Sequence, residues 1–300
     1  MSDWRDELKQ VLPEARLDEP LARYTTFKIG GPADAFIEIQ TADELAKAAR
    51  FARDRELALT TLGWGSNVLV RDGGVRGIVL KLAGDFERIE FLEGDRVRAG
   101  AAVRVPQLVS QCAERGLGGD ESLVGVPGSV GGALVMNAGT REGEIGSLVE
   151  SVDVADPPLF QARALPRSEL RFSYRASNLQ GRIVVGATLQ LKPGDKRVIM
   201  TRVQQFQQKR RQTQPIHTFN VGSTFKNPPG RFAAQLIEEA GLKGLARGGA
   251  RISPMHANFI ENFSGAKASD VLALVEAIRD KVRESRGIEL ELEMKVLGEA

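Results

Sequence analysis

Two clusters of glycine carry most of what can be inferred from this chain. Of its 300 residues, 32 are glycine, and two blocks are dense in them, residues 62–67 with two glycines and residues 125–139 with five. Glycine lets the backbone approach a ligand closely, and successive backbone N–H groups in such a loop form a concave binding site for an anion. One block alone is equally compatible with a tight turn or a β-bulge. Two blocks favour a single shared dinucleotide.

The expected dinucleotide contacts lie in loops that differ from the standard nucleotide motifs. No Gly-Lys-Ser/Thr follows the first block, which excludes a Walker loop, and no third glycine opens a helix there, which excludes the Rossmann fingerprint. The predicted contact residues are Gly63, Trp64, Gly65, Ser66 and Asn67 in the first block, and Gly125, Pro127, Gly128, Ser129, Gly131, Gly132, Asn137 and Gly139 in the second.

Composition and charge exclude several other classes of protein. The formal net charge is +2, so bulk electrostatics favour neither a nucleic acid nor a membrane surface as a partner. No apolar run is long enough to cross a bilayer, and the segment from Met1 to Gln10 is too polar for a signal peptide. The single cysteine, Cys112, permits no internal disulfide and is typical of a reducing compartment. We therefore expect a cytoplasmic protein in which Cys112 packs into a core.

Metal and hydrolase chemistry also find little support in the sequence. The chain has two histidines, His217 and His256, and one cysteine, which are too few for the usual nitrogen and sulfur ligand sets of zinc. Neither histidine is accompanied by a nucleophile elbow, so a histidine-based triad is not expected. We predict no bound metal.

The hydrophobic periodicity predicts an α+β fold. Helices are predicted behind Thr41 and over residues 105–115, 198–212, 231–240 and 269–286. Strands are predicted over residues 35–39, 57–62, 68–70, 77–82, 96–103, 183–191 and 288–296. The first of these reads as half-buried, and the last alternates apolar residues with glutamates over its full length.

Several short motifs occur together and in a fixed order. They are Leu62 to Asn67, Gly125 to Gly139, Tyr174-Arg175, Gly222 to Pro228 and Leu292-Glu293-Met294, together with residues 23–34, 248–250 and 256–259. In this combination the chain resembles the UDP-N-acetylenolpyruvoylglucosamine reductase family, the FAD enzymes that complete UDP-N-acetylmuramate in bacterial peptidoglycan synthesis. The resemblance extends over nearly the whole chain.

The resemblance implies a cofactor, a fold and a reaction. It implies noncovalent FAD held by the two glycine blocks, NADPH as co-substrate, and a UDP-sugar bearing an enolpyruvyl ether as the molecule reduced, with roles in cell-wall biogenesis, cell shape and cell division. The implied fold is a two-part FAD-binding module of the vanillyl-alcohol-oxidase type plus a smaller α+β substrate-binding domain. We expect FAD-binding subdomains over residues 1–75 and 76–200, the substrate-binding domain over 201–287, and a C-terminal strand over 288–300 that returns to the active site.

The resemblance also assigns roles to single residues. Arg175 matches the family arginine that stabilises negative charge on the substrate carboxylate, a task that suits the planar fork of a guanidinium. Ser223 matches the serine that protonates the second carbon of the enolpyruvyl group, and Glu293 the glutamate that donates to the same carboxylate. The implied substrate-binding residues are Tyr174, Arg211, Lys226 and Asn227.

Two alternatives remain open on the sequence. One is an oxidase on the same FAD fold that binds its flavin without a covalent tether, since no histidine precedes His217. The other is a nucleic-acid-binding module built around Lys209, Arg210 and Arg211, although three basic residues at a helix end more often complement the helix dipole. No tyrosine lies between Arg175 and Ser223, so we predict the shorter branch of the family, which lacks a tyrosine-bearing lid.

Overall fold

The computed structural model describes residues 4–300 and divides them into two compact units. The first unit contains the residues up to Leu17 together with Ala35–Trp64 and Gly77–Lys209; the second contains Asp18–Asp34, Gly65–Arg76 and Arg210–Ala300. The first three residues of the predicted 1–75 subdomain lie outside the described residues. The expected division at 75, 200 and 287 stays a prediction, because compactness does not reveal which ligand each segment binds.

Seven helices occur in the described part of the chain. They are α1 (Trp4–Val11), α2 (Ala42–Asp54), α3 (Val105–Glu114), α4 (Val130–Val135), α5 (Lys196–Thr213), α6 (Ala233–Glu239) and α7 (Ala268–Arg286). Short 3₁₀ segments occur as well, among them Glu121–Gly125 at the start of the second glycine block.

The strands, many of them short, alternate with these helices. They are β1 (Arg16–Pro20), β2 (Pro32–Ile39), β3 (Leu59–Thr61), β4 (Val68–Val70), β5 (Val75–Leu82), β6 (Ile89–Leu92), β7 (Arg96–Gly100), β8 (Leu117–Gly118), β9 (Gly139–Thr140), β10 (Gly143–Glu144), β11 (Val149–Ala155), β12 (Ala162–Pro166), β13 (Phe172–Ser173), β14 (Ala176–Ser177), β15 (Val184–Gln190), β16 (Lys192–Pro193), β17 (Ala246–Arg247), β18 (Ala250–Ile252), β19 (Ile260–Asn262) and β20 (Lys295–Leu297). The α+β class is confirmed.

Two larger sheets organise the first unit. A four-stranded sheet has the order β1-β2-β5-β3, with β3 and β5 parallel, and a five-stranded antiparallel sheet has the order β12-β11-β15-β7-β6. The prediction that residues 35–39 are half-buried is wrong. All of them except Glu38 are buried, and because successive side chains of a strand point to opposite faces, both faces of this part of β2 are covered. Cys112 on α3 belongs to the core of this unit and is buried, as predicted.

The second unit has its own core under helices α6 and α7. A three-stranded sheet, β17-β18-β19, and a parallel pair, β4 and β20, contribute to it. Phe225 and Leu274 are fully buried there. The pair β4–β20 positions the C-terminus of the chain, because Val68 pairs with Lys295 directly after the first glycine block.

Helix ends follow the capping signals in the sequence. The Thr41 hydroxyl accepts a hydrogen bond from the Glu44 backbone N–H at 3.2 Å, which caps α2 as predicted. Helix α7 ends at Gly287, whose φ of +67° suits a residue without a Cβ atom. Its first turn donates to Asp72 from the backbone N–H groups of Ala268 and Ser269.

The predicted strand from Ile288 to Val296 is wrong over most of its length. Strand β20 covers only Lys295–Leu297, and Leu292 forms an isolated antiparallel bridge with Phe225. The segment exchanges hydrogen bonds first with residues 224–226 and then with β4, so no single partner supports a continuous ladder. The alternation of burial persists, since Leu290 and Met294 are buried while Glu289 and Glu291 are exposed.

No helix in residues 4–300 combines the length and the apolar character that crossing a membrane requires.

Candidate active site

The first glycine block begins where β3 ends. Leu62 donates from its backbone N–H to Leu80 at 2.7 Å, which extends the pairing with β5 by one residue. The chain then turns through Gly63 and presents Trp64, whose side chain is 39% exposed. The guanidinium of Arg104 lies 3.9 Å from the centroid of the Trp64 ring, a distance typical of a cation–π contact. An exposed aromatic ring and a cation therefore border this loop.

The second block runs from the 3₁₀ segment into α4. Gly128 has φ of +145°, and its carbonyl accepts a hydrogen bond from the Val105 backbone at 2.9 Å. Ser129 caps α4 by accepting from the Gly132 backbone N–H at 3.4 Å. Pro127 and Gly132 are exposed along this loop.

The two glycine blocks meet in the first unit. A Cβ atom added to Gly63 would lie 2.6 Å from the Ser129 hydroxyl, closer than real Cβ contacts. Arg104 contacts both blocks. Its backbone forms an antiparallel bridge with Ser129, and its side chain covers the Trp64 ring. The prediction that the blocks act together thus has a physical basis. The resulting cradle, lined by glycine backbone, is suited to an extended anionic dinucleotide.

Asn137 anchors the far end of the second block. It is buried with φ of +43°, and its side-chain amide donates to Glu144 Oε2 at 2.7 Å and to the Ser173 carbonyl at 2.9 Å. Its side-chain oxygen Oδ1 accepts a hydrogen bond from the Gly146 backbone N–H at 3.0 Å. All of its hydrogen bonds shown here serve the protein, so Asn137 shapes the block from inside.

Arg175 lies in a two-residue turn between β13 and β14. Its φ of +55° is unusual for a residue with a side chain. The side chain is only 16% exposed, donates from Nη2 to the Gly139 carbonyl at 3.0 Å, and approaches Glu144 Oε1 at 3.9 Å through Nη1. Its guanidinium lies 5.0 Å from the ring centroid of Tyr174, which is itself exposed. The second glycine block therefore holds Arg175 in place.

The rest of the first block belongs to the second unit. Gly65 has φ of +60° and lies against the Tyr24 carbonyl, which a Cβ atom would approach to 2.3 Å. Ser66 and Asn67 follow, and both are partly buried. The Asn67 amide donates to the Glu293 carbonyl at 3.1 Å. Asn67 thus contacts the segment that carries a predicted catalytic residue.

The structure brings Ser223 and Glu293 to adjacent segments. Thr224, the next residue after Ser223, accepts hydrogen bonds at its carbonyl from the backbones of Glu293 at 2.9 Å and Met294 at 3.3 Å. The side chains of Ser223 and Glu293 are both partly buried. A hydroxyl and a carboxyl separated by 70 positions along the chain are thereby held on hydrogen-bonded neighbouring segments.

The predicted substrate contacts differ in their surroundings. Lys226 forms an ion pair with Glu291, and the side-chain oxygen Oδ1 of Asn227 accepts a hydrogen bond from the Ala233 backbone N–H at 3.0 Å at the start of α6. Arg211 is exposed on the last turn of α5. Lys226 and Asn227, which are predicted to bind the substrate, therefore also make contacts that stabilise the protein itself.

Sequence reasoning missed three residues of this site. Arg104 and Glu144 carry no local motif, and their contacts with Trp64 and Arg175 respectively join residues that are distant in sequence. Asn258 lies in a motif that the resemblance includes, but the motif assigns it no role. The signal that could have identified Asn258 is its residue type, because an asparagine between two apolar neighbours needs partners when it is buried.

The basic cluster at the end of α5 is engaged locally. Lys209 forms an ion pair with Glu142 at 3.0 Å, and Arg210 Nε donates to Gln214 at 3.0 Å. Burial holds the pKa of Arg210 below its usual value. These contacts favour the helix-end interpretation of the cluster over the alternative of a nucleic-acid surface.

Comparison with known proteins agrees with this arrangement. Residues 33–158 match the family described as FAD binding domain, and residues 214–297 match the family described as UDP-N-acetylenolpyruvoylglucosamine reductase, C-terminal domain. The fold, the glycine cradle and the first match define an FAD-dependent oxidoreductase with an FAD-binding module of the vanillyl-alcohol-oxidase type.

Full-length relatives narrow the class further. UDP-N-acetylenolpyruvoylglucosamine reductase 2 of Symbiobacterium thermophilum is 42% identical over 99% of this chain and 98% of its own length. The Moorella thermoacetica reductase is 43% identical over 94% of this chain and 93% of its own. The crystal structure of the Thermus caldophilus reductase superposes with a TM-score of 0.82 at 40% identity, covering 95% of this chain and 98% of that one. The chain belongs to the UDP-N-acetylenolpyruvoylglucosamine reductase family.

Proposed function

We propose that this enzyme uses NADPH to reduce UDP-N-acetylglucosamine enolpyruvate to UDP-N-acetylmuramate in peptidoglycan synthesis. Membership of the family supports the substrate, and the placement of Ser223 beside the Glu293 segment is the observation that carries the mechanism. Reduction of the enolpyruvyl double bond adds a hydride to its terminal carbon and a proton to its second carbon.

The glycine blocks would hold the FAD. The Gly63–Ser129 contact supports this assignment, because it joins two loops of glycine backbone where a phosphate-bearing chain can approach closely. Trp64, Pro127 and Gly132 are exposed along these blocks. When bound, FAD supplies the hydride that enters the double bond.

Arg175 would stabilise the charge that hydride addition creates. The added electron pair is delocalised into the adjacent carboxylate, so a fixed cationic donor lowers the barrier. The hydrogen bond from Arg175 Nη2 to Gly139 supports this role by fixing the direction of the guanidinium. Glu293 would act as a second donor to the same carboxylate.

Ser223 would deliver the proton to the second carbon. A serine hydroxyl is a weak acid, so its service as a proton donor requires a strongly basic carbanion and close positioning. The hydrogen bonds around Thr224 support such positioning, since they fix the backbone on the C-terminal side of Ser223.

The test separates the two halves of the reaction with Ser223→Ala. Flavin reduction by NADPH involves no proton from Ser223, so its rate should stay within about threefold of the parent. Reoxidation of the prereduced enzyme by the enolpyruvyl substrate should slow by about 10²- to 10⁴-fold, the range of a positioned general acid. Anaerobic stopped-flow spectroscopy measures both rates.

Ser264→Ala is the matched control, because Ser264 is an exposed loop serine of the same unit. It should leave both half-reactions unchanged. An unchanged reoxidation rate in Ser223→Ala would assign the proton to another group. A loss of both half-reactions together would mean that the substitution disturbs the flavin site.

A further inference from the structure

Asn258 is a buried asparagine whose side chain forms two hydrogen bonds with the backbone of Phe225, two residues after Ser223. It is 3% exposed. Its side-chain amide donates to the Phe225 carbonyl at 2.8 Å, and its side-chain oxygen accepts from the Phe225 backbone N–H at 2.9 Å. The side chain therefore pairs with Phe225 as a strand residue would.

The backbone of Asn258 extends this pairing by one residue. Its carbonyl accepts from the Thr224 N–H at 2.8 Å. Thr224 in turn accepts from the backbones of Glu293 and Met294. A continuous series of hydrogen bonds thus runs from Asn258 through Thr224 to Glu293, where the Asn67 amide binds the Glu293 carbonyl from its own segment.

We propose that Asn258 is a positioning residue that sets the Ser223 hydroxyl and the Glu293 carboxyl in register with each other. The proposal rests on the roles of Ser223 and Glu293 proposed above. Asn258 touches no reacting atom in it. Asn258 fixes the backbone of residues 224 and 225. Ser223, which precedes them, and the Glu293 segment, which is hydrogen-bonded to Thr224, therefore keep one position relative to each other.

The physical reason is that proton delivery is sensitive to small displacements. A shift of about 1 Å at a catalytic group can cost about 100-fold in rate. Residues 223–226 form no named strand and rest on isolated contacts. Without the Asn258 side chain, the Phe225 backbone would lose both of the bonds that it exchanges with that side chain.

Asn262 provides a matched control within the same unit. It is also a buried asparagine whose amide bonds the backbone, donating to Phe27 at 3.0 Å and accepting from Ala266 at 2.9 Å. None of these partners lies in residues 223–226 or 291–294. Asn258→Ala and Asn262→Ala therefore remove similar bonds from different places.

The first measurement is amide hydrogen exchange of the holoenzyme, which is independent of activity. In Asn258→Ala the Glu293 amide should exchange at least about tenfold faster, because the segment that holds it opens more readily. In Asn262→Ala it should exchange as in the parent. Equal exchange of the Glu293 amide in all three proteins would overturn the proposal.

The second measurement is reoxidation of the dithionite-reduced holoenzyme by the enolpyruvyl substrate. We expect Asn258→Ala to slow this step by at least about tenfold and Asn262→Ala by less than about threefold. Similar losses in both variants would reduce Asn258 to a stabilising residue and overturn the proposal. Should Asn258→Ala not fold, Asn258→Asp keeps the shape and one acceptor, and the same two outcomes apply.

Failure of the proposed function would look different. In one outcome, reduced Ser223→Ala is reoxidised at the parental rate while the Glu293 amide still exchanges faster in Asn258→Ala. Asn258 then positions the Glu293 segment, but Ser223 is not the proton donor. If Ser223→Ala is slow and Asn258→Ala reoxidises at the parental rate, the proposal for Asn258 alone is overturned.

Discussion

The backbone conformation of Arg175 lowers the stability of the fold, relative to a glycine at the same position. A left-handed φ in a residue with a Cβ atom costs about 1–2 kcal/mol, and glycine would avoid that cost. The Arg175 φ of +55° is combined with a partly buried, hydrogen-bonded guanidinium. Strain at a fixed, charged side chain is typical of functional sites.

We expect Arg175→Lys to lower turnover by at least about tenfold although the charge is kept, because an ammonium is a point charge and lacks the planar fork of donors. Steady-state turnover at saturating substrate measures the loss. Arg171→Lys, at an exposed arginine of the same unit, should have no effect. Arg175→Gly should raise Tm, because glycine adopts the left-handed φ at lower cost, and should abolish turnover. Near-normal turnover in Arg175→Lys would show that Arg175 has a structural role only.

A second residue-scale feature is the buried carboxyl of Asp120, just before the second glycine block. It is 1% exposed, and neither oxygen has a hydrogen-bond partner of normal geometry in the described structure. Burial raises the pKa of Asp120 to about 7, and the charge of Glu121 acts in the same direction. Burial and the nearby Asp120 also raise the pKa of the Cys112 thiol.

This pKa predicts how stability depends on pH. The Asp120 carboxyl binds its proton more tightly in the folded protein than in the unfolded chain, where its pKa has the ordinary value of 3.8. Stability should therefore fall as pH rises from about 4 to about 7, and the full cost is present above that range. Asp120→Asn should raise Tm relative to the parent at pH 8 by about 2–4 °C per kcal/mol of relieved cost.

The comparison of Tm at pH 5 and pH 8 checks this expectation. The advantage of Asp120→Asn should be larger at pH 8. Asp153→Asn is the control, because Asp153 is also buried but pairs with Arg98 at 2.8 Å. It should lose stability at both pH values. An Asp120→Asn variant whose Tm difference from the parent is the same at both pH values would show that Asp120 does not titrate in this range.

The sequence could predict residues with a family motif but not those that support them. The roles of Arg175 and Ser223 come from the resemblance to the family and stay predictions, because each residue taken alone is equally compatible with a surface ion pair or a turn hydroxyl. Glu144 and Asn258 act through partners 31 or more positions away, at Arg175 and at Phe225 respectively. Such contacts are determined by tertiary packing, which one sequence does not reveal.

At the scale of elements, the central feature is the contact between the two glycine blocks. The Ser129 hydroxyl serves α4 as a cap and also faces Gly63. In Gly63→Ala the added methyl group would displace that hydroxyl. We expect FAD affinity to fall by about tenfold, corresponding to 1.4 kcal/mol, measured by flavin fluorescence on titration of the apoprotein.

A double-mutant cycle identifies the cause of this loss. The Ser129 Cβ atom lies 3.9 Å from the position of the added methyl group, an ordinary contact distance, so Ser129→Ala removes the obstruction. Gly63→Ala should therefore cost little in the Ser129→Ala background, which makes the two substitutions non-additive. Additive losses would show that Gly63 is required for a reason other than the Ser129 contact.

Elements with local signals were predictable, and those defined by distant partners were not. The cap at Thr41 and the stops at Gly116 and Gly287 depend on residue type alone. Helix α2 begins directly after Thr41, and helices α3 and α7 end close to Gly116 and Gly287 respectively. The segment from Ile288 to Val296 has a strand pattern, yet its ladder depends on partners in two places. Periodicity reports which side of a segment is buried without reporting what it pairs with.

At the scale of the whole molecule, the chain has two separate hydrophobic cores, one in each compact unit. The predicted FAD contacts occur in both, since Gly63 and Trp64 belong to the first unit while Gly65, Ser66 and Asn67 belong to the second. The relatives match over nearly the full length of the chain, so they contain the segments of both units.

The kinetic mechanism is a property of this whole arrangement. The chain has no Rossmann fingerprint to provide a separate nicotinamide site, and its two matched families are an FAD binding domain and the C-terminal domain of the reductase. We therefore expect NADPH and the enolpyruvyl substrate to use one binding site in turn. NADP⁺ must then leave before the second substrate binds, so double-reciprocal plots at several fixed NADPH concentrations should be parallel. Each substrate in excess should also inhibit, because NADPH would bind the reduced enzyme and the enolpyruvyl substrate would bind the oxidised enzyme. Intersecting lines would require both molecules to be bound at once, and would show that a second site exists.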